Sequence, residues 1–198
     1  MACNHRFRKD LIPDYSIKNL FIGTFNPEWN KVKDNANWFY GRNNNSFWHI
    51  MPLSLDFKDL LNERTNRPIL EEFCKINNIG ITDLISQIKD ADINNPNHGE
   101  KIRSVRDNDL EYFDEIIFTD IEQIIRNNKD TLIGVYLTRY AHTFPRNGQL
   151  LQKWNQIIEL CNEYKIHTSD LVTPSNGYFR MNRIQKIEHW RNKINRNL

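Results

Sequence analysis

The feature that most constrains this chain is a short apolar run that stops abruptly. Asn19-Leu20-Phe21-Ile22 is followed by Gly23 and then by Thr24-Phe25-Asn26-Pro27. Such a run reads as a buried strand. Gly23 lets the backbone leave a sheet, and Pro27 blocks any continuation as a strand. The amide of Asn26 is thereby placed just past a strand's carboxyl end, where open α/β sheets bind ligands. The stretch runs on to Met51 through Asn43-Asn44-Asn45-Ser46-Phe47-Trp48, and the rest of the chain is read around it.

Residues 1–16 are polar and mixed, an N-terminal arm or short helix limited by Pro13. Residues 24–45 form a long Asn-rich loop with Trp29, Trp38, Phe39 and Tyr40. A loop of that length inside a compact domain is usually functional or mobile, although each aromatic taken singly is better explained as a core anchor. A helix is expected over 46–55, with Asn45 or Ser46 as N-cap and Pro52 ending or kinking it. A second is expected over 68–76, with Pro68 in its first turn. Gly80 punctuates the chain before a short apolar element, 81–85, whose one charge is Asp83.

Residues 89–114 read as a surface insertion and a short helix; Lys101, Arg103 and Arg106 cluster there, a pattern that is usually a solvated face and less often a phosphate-binding patch. Thr119 and Glu122 form a capping box for a helix that buries Ile121, Ile124 and Ile125. A second strand is expected over 131–137 and another over 165–172. Between them, Leu150, Leu151, Trp154, Ile157, Ile158 and Cys161 recur at helical spacing. A last helix over 181–195 is expected to bury Ile184, Ile187, Trp190 and Ile194. Its other face carries Arg183, Lys186, Arg191 and Lys193. Strands alternating with helices predict an α/β fold: one three-layer α/β/α domain over 1–198, with a mainly parallel central sheet.

Lys+Arg 27 against Asp+Glu 25 gives a net charge of +2, so any basic footprint for nucleic acid is local. The three cysteines, Cys3, Cys74 and Cys161, are far apart and form no CxxC pair. That argues for reduced thiols in a cytoplasmic protein and against a zinc ribbon or iron–sulfur cluster. No apolar run reaches the length of a membrane span, and the first residues lack a signal-peptide core. The six histidines, His5, His49, His98, His142, His167 and His189, show no metal-ligand spacing. No metal, cofactor or membrane partner is expected, and the chain is expected to be a monomer.

Four motifs in order carry a resemblance. Gly23-Thr24-Phe25-Asn26-Pro27, Asn45-Ser46-Phe47-Trp48, Gly80-Ile81-Thr82-Asp83-Leu84-Ile85 and Thr173-Pro174-Ser175 resemble the uracil-DNA glycosylase superfamily. The mismatch-specific (thymine/uracil) branch is nearest, and the hypoxanthine-acting branch next. The resemblance spans about residue 17 to the final helix. It implies a DNA-repair hydrolase that cleaves the N-glycosidic bond of a flipped, damaged or mismatched base, with DNA as partner and no cofactor. It implies that Asn26 positions water and that Tyr40 stacks on the base. It also implies that Phe25, Glu28, Asn45, Asp83, Thr173, Ser175 and Asn176 surround the substrate. Arg42, Ser175, Arg180 and Arg183 would meet the DNA backbone. Tyr178 or Phe179 would be a wedge into the duplex. The chemistry suits these residue types, because an extruded base needs an aromatic face and polar groups matched to its edge. No lysine occupies a matching motif position, which favours direct hydrolysis.

Each assignment has a plainer counterpart. Asn26 could cap a turn before Pro27, Asn45 could serve only as an N-cap, and Asp83 could cap a helix. Glu28 stands where the mismatch-specific group has Gly, and Thr173 where the family has Asn or His. Asn26 and Tyr40 favour a base-excision enzyme, whereas Glu28 and Thr173 favour a nucleic-acid-binding module that keeps the fold without turnover.

Overall fold

The computed structural model describes residues 1–29, 36–104, 106–177 and 180–194. Its centre is a parallel sheet of four strands: β2 (Asn19–Gly23), β3 (Ile79–Asp83), β6 (Gly134–Leu137) and β7 (His167–Asp170). Their spatial order is β3-β2-β6-β7, and every neighbouring pair is parallel. Parallel sheets are covered on both faces, and the period-2 alternation of the strands shows how. Leu20, Ile22, Val135 and Leu137 enter one core with Ile121 and Ile124 of α4 (Ile121–Asn127) and Leu150, Trp154 and Ile157 of α5 (Gln149–Glu163). Phe21, Ile79, Ile81 and Tyr136 enter the other. That second core is completed by Trp48 and Met51 of α1 (Phe47–Ser54), Leu70 and Cys74 of α2 (Arg67–Ile76), and Trp190 and Ile194 of α6 (Arg183–Ile194). Phe21 lies between Tyr136 and Trp190, stacked at 5.2 and 5.8 Å. The result is the expected three-layer α/β/α arrangement with a parallel central sheet.

A second sheet was not legible in the pattern. Strands β1 (Cys3–Asn4), β4 (Ile85–Ile88) and β5 (Ile116–Phe118) pair antiparallel in the order β1-β4-β5. The expected single element over 81–85 is two strands meeting at Leu84, whose N–H reaches Gly23 O and whose carbonyl accepts from Thr119. The N-terminal segment, expected as an arm or a short helix, is a short strand followed by a 3-10 helix at Arg8–Asp10. Gly80 lies inside β3 and does not punctuate the chain. A Cβ there would come within 2.9 Å of Ile17 and Leu20 side-chain atoms.

Three further expectations shift. Helix α4 is capped by Asp120, which accepts the Gln123 N–H at 3.0 Å, because Thr119 is held by Leu84. The first helix continues two residues past Pro52. The last helix is rotated from its expected phase: Ile184 is 68% exposed, and Lys186 is 3% exposed. Lys186, Trp190 and Ile194 form its buried i, i+4, i+8 stripe. A lysine can hold an inward position because its ammonium group donates to Ser175 O at 2.6 Å. Asn195, the expected last helical residue, lies outside the described residues. Helix α3 (Pro96–Arg103) sits in the polar insertion, where Lys101 pairs with Asp109 at 2.8 Å. Among the described residues, no helix is long and apolar enough to cross a membrane.

Candidate active site

Parallel strands share one carboxyl edge, and all four deliver side chains to a cavity of about 200 Å³ there. Gly23, Thr24, Phe25 and Asn26 follow β2, Asp83 ends β3, Thr138 and Arg139 follow β6, and Thr173 lies beyond β7. Strand β2 is flanked by β3 on one side and β6 on the other, so the cavity opens where the chain's winding reverses. Phe39, Tyr40, Arg42 and Asn45 close it from the long loop before α1.

Tyr40 holds a left-handed backbone, φ 55°, a conformation that costs roughly 1–2 kcal/mol for a residue with a Cβ. Its ring lies parallel to Phe47 at 4.0 Å, with a 10° interplanar angle. The Tyr40 hydroxyl is 2.8 Å from Thr138 Oγ1, and that oxygen is 3.1 Å from Ile22 O. A carbonyl only accepts, so Thr138 donates to Ile22 and Tyr40 donates to Thr138. Burial, and then the Asp83 charge, keep the Tyr40 hydroxyl well above its usual pKa. It remains a neutral phenol.

Asp83 is buried and lies 2.7 Å from His5, Oδ2 to Nε2. His5 Nδ1 accepts the Phe7 N–H at 3.0 Å, so the imidazole proton is on Nε2 and is donated to Asp83. Oδ1 is left facing Gly23. A Cβ at Gly23 would sit 2.1 Å from that oxygen and 2.6 Å from Tyr40 Oη. Only glycine lets the carboxylate, the phenol and the strand end converge. The N-terminal segment holds this corner together: His5 N–H reaches Ser86 O, Arg6 N–H reaches Asn26 O, and Glu28 N–H reaches Asn4 O.

Asn26 Oδ1 accepts from Arg42 Nη2 at 3.3 Å. Burial, reinforced by neighbouring Arg6, lowers the Arg42 pKa, and Asp83 partly restores it. Arg139 Nη1 reaches Thr24 Oγ1 at 3.5 Å, and its guanidinium lies 5.5 Å from the Phe144 ring centroid. Burial lowers its pKa to about 10. Thr173 Oγ1 accepts the Ser175 N–H at 3.3 Å. The loop that follows is strapped to the start of α1. Ser46 N–H reaches Pro174 O at 3.0 Å, Asn176 N–H reaches Asn44 O at 2.9 Å, and Ser46 Oγ donates to Asn176 Oδ1 at 2.6 Å. Among the described residues, no cluster of His, Cys, Asp or Glu could hold a metal ion.

The cavity thus gathers Phe25, Asn26, Tyr40, Asn45, Asp83 and Thr173 of the expected substrate residues, together with Arg42, which was expected on the DNA-backbone surface. Asn45 Oδ1 also accepts the Phe47 N–H at 2.8 Å, one position ahead of the N-cap Ser46. Asp83 ends a strand and caps no helix. Glu28 is outside the lining: its carboxylate takes the Asn4 N–H and Nδ2, each at 3.0 Å. Ser175, Asn176, Arg180 and Arg183 are not in the lining; Ser175 is half-buried and the other three are exposed. Tyr178 and Phe179 lie outside the described residues. His5, Thr138 and Arg139 were missed. The rule that singled out Asn26, a polar residue just past a strand end, would have found Thr138 and Arg139. His5 had no local signal, since its partner is 78 residues away.

A solution NMR structure of a candidate uracil DNA glycosylase from Methanosarcina acetivorans is similar to this chain. The TM-score is 0.54 at 17% identity, over 91% of this chain and 92% of that one. The two share a fold. No protein-family model and no curated protein matches the chain.

Proposed function

We propose that the chain is a DNA-glycosylase-like hydrolase that excises a flipped base by direct attack of water on its N-glycosidic bond. One observation carries this reading: four strand ends converge on a polar cavity with an aromatic wall, Tyr40 backed by Phe47. The base stacks against Tyr40, and its edge meets Asp83 Oδ1. Asn26 orients water through the remaining lone pair of its carbonyl oxygen. Bond cleavage leaves a cationic sugar, so an oriented water suffices without a strong nucleophile. The described lining contains no lysine to form a Schiff base. The likeness in fold to a candidate uracil DNA glycosylase supports the same reading. A second reading, binding without turnover, is favoured by the Arg42–Asn26 contact, which already occupies part of the amide oxygen.

Duplexes carrying uracil, thymine or hypoxanthine opposite each base test the proposal. The wild-type protein is expected to release free base and leave an alkali-labile site in at least one of them. Binding with no release from any of them would establish the second reading instead. In the same panel Asp83→Asn is expected to change the order of base preference. A carboxylate only accepts hydrogen bonds, whereas an amide also donates them. An unchanged order would remove Asp83 from base recognition.

DNA is proposed to cross the rim beside the 173–177 loop and the start of α6, where Arg180 and Arg183 are exposed. Replacing both with Ala is expected to weaken duplex binding for every sequence alike. The slope of log affinity against log salt should fall by about 2, near 0.9 per phosphate contact. An unchanged salt slope would place the duplex elsewhere.

A further inference from the structure

We propose that the groove beside residues 4–10 takes the DNA backbone next to the extruded nucleotide, and that Arg6 grips one of its phosphates. The proposal rests on the reading that a nucleotide turns into the cavity. Such a nucleotide brings its two flanking phosphates to the cavity mouth, so a second backbone contact is needed besides the 173–177 rim. The topology supplies the place. β3 and β7 are the two edges of the parallel sheet. The 173–177 loop follows β7, whereas the N-terminal segment is fastened at the other side. His5 bonds Asp83 at the end of β3, and the Arg6 N–H reaches Asn26 O, just past β2, at 2.7 Å.

The groove, of about 450 Å³, holds four cations, Arg6, Arg8, Lys9 and Arg67, against two carboxylates, Asp10 and Glu28. Asp10 is paired with Arg67 at 2.9 Å, and Arg67 also pairs with Glu71. Glu28 accepts both the N–H and the Nδ2 of Asn4. Asp83 lines the cavity and not the groove. The balance of the groove is therefore basic, which suits a polyanion. A run of charges on an open face is usually only solvated, but Arg6 is not placed like one. It is half-buried, and its Nη1 is buried without a hydrogen-bond partner. A donor that the fold leaves without an acceptor gains more from an arriving phosphate than one already satisfied. Arg6 also joins the groove to the cavity. Its backbone holds the Asn26 carbonyl, while Arg42 holds the Asn26 side chain. After burial, the nearby Arg6 charge is what lowers the Arg42 pKa, with Asp83 opposing. Two like charges gathered on one residue favour an anion beside them.

The test is equilibrium binding to duplexes that carry one uracil and one neutral methylphosphonate, moved phosphate by phosphate along the lesion strand. In the wild-type protein, neutralising one phosphate beside the uracil is expected to weaken binding about tenfold. Arg6→Gln is expected to weaken binding of the unmodified duplex by about as much, and to lower the slope of log affinity against log salt by about 1. In that variant the same methylphosphonate should cost less than about twofold, because the contact is already lost. Arg6→Lys should keep the salt slope. Additive losses at every phosphate, or an unchanged slope in Arg6→Gln, would overturn the assignment. So would a wild-type protein indifferent to every methylphosphonate beside the uracil, a result that needs no variant to fold. These measurements require no turnover, so they decide the Arg6 contact separately from the lesion panel, which decides base excision. Failure of the wild-type protein to bind any duplex would overturn both.

Discussion

Asn26→Ala is expected to slow the chemical step by about 100-fold while leaving affinity for a lesion duplex nearly unchanged. Loss of an orienting group at a reacting centre has effects of that order. Asn26 leaves the sheet just past β2, its carbonyl is held by the Arg6 N–H, and its amide is held by Arg42. The group is therefore fixed before substrate arrives. The amide does not contribute the stacking that retains a base, so binding should survive its removal. Tyr40→Ala should behave in the opposite way. It removes an aromatic face worth roughly 1–3 kcal/mol per base, and so weakens binding of an extruded base while the chemical step at saturation changes less. Single-turnover rates and equilibrium binding on one duplex separate the two variants. Equal rates for wild type and Asn26→Ala would reduce Asn26 to a turn residue.

Gly23→Ala is expected to abolish excision and to lower stability by about 2 kcal/mol. The added methyl would lie 2.1 Å from Asp83 Oδ1, and a β-strand flanked on both sides by parallel neighbours cannot retreat. Asp83 must rotate instead, which breaks its 2.7 Å contact with His5. A buried hydrogen bond to a charged group contributes about 1.5–3 kcal/mol. For a chain of this size, that corresponds to a melting temperature lower by roughly 4–8 °C. An unchanged melting temperature with retained activity would mean that the Asp83–His5 pair neither supports the fold nor shapes the site.

The parts of the molecule readable from sequence are those governed by local pattern. The run Asn19–Gly23, the strands Gly134–Leu137 and His167–Asp170 within the expected 131–137 and 165–172, and the helix Gln149–Glu163 follow from period and punctuation. So does the position of Asn26 past a strand end. What escaped depends on pairing between distant residues. The short β1 has no recognisable pattern in two residues and exists because β4 offers it an edge. His5 matters because that pairing carries it to Asp83. Lys186 was read as a surface charge because its side chain is basic. It is buried because a backbone carbonyl of the 173–177 loop meets its ammonium group. Glu28 was placed beside the substrate by the resemblance alone, at the position where the mismatch-specific group has Gly. The same N-terminal segment draws its carboxylate away to Asn4.

The most direct measurement of the central claim is the structure of the protein bound to a duplex whose lesion nucleotide carries a 2′-fluorine. That substitution withdraws charge from the sugar and prevents cleavage, so the substrate is trapped intact. The account predicts the base extruded from the helix and stacked on Tyr40, its edge hydrogen-bonded to Asp83 Oδ1, and C1′ turned towards Asn26. A base that remains stacked in the duplex, or that is bound away from the ends of the four parallel strands, would contradict it.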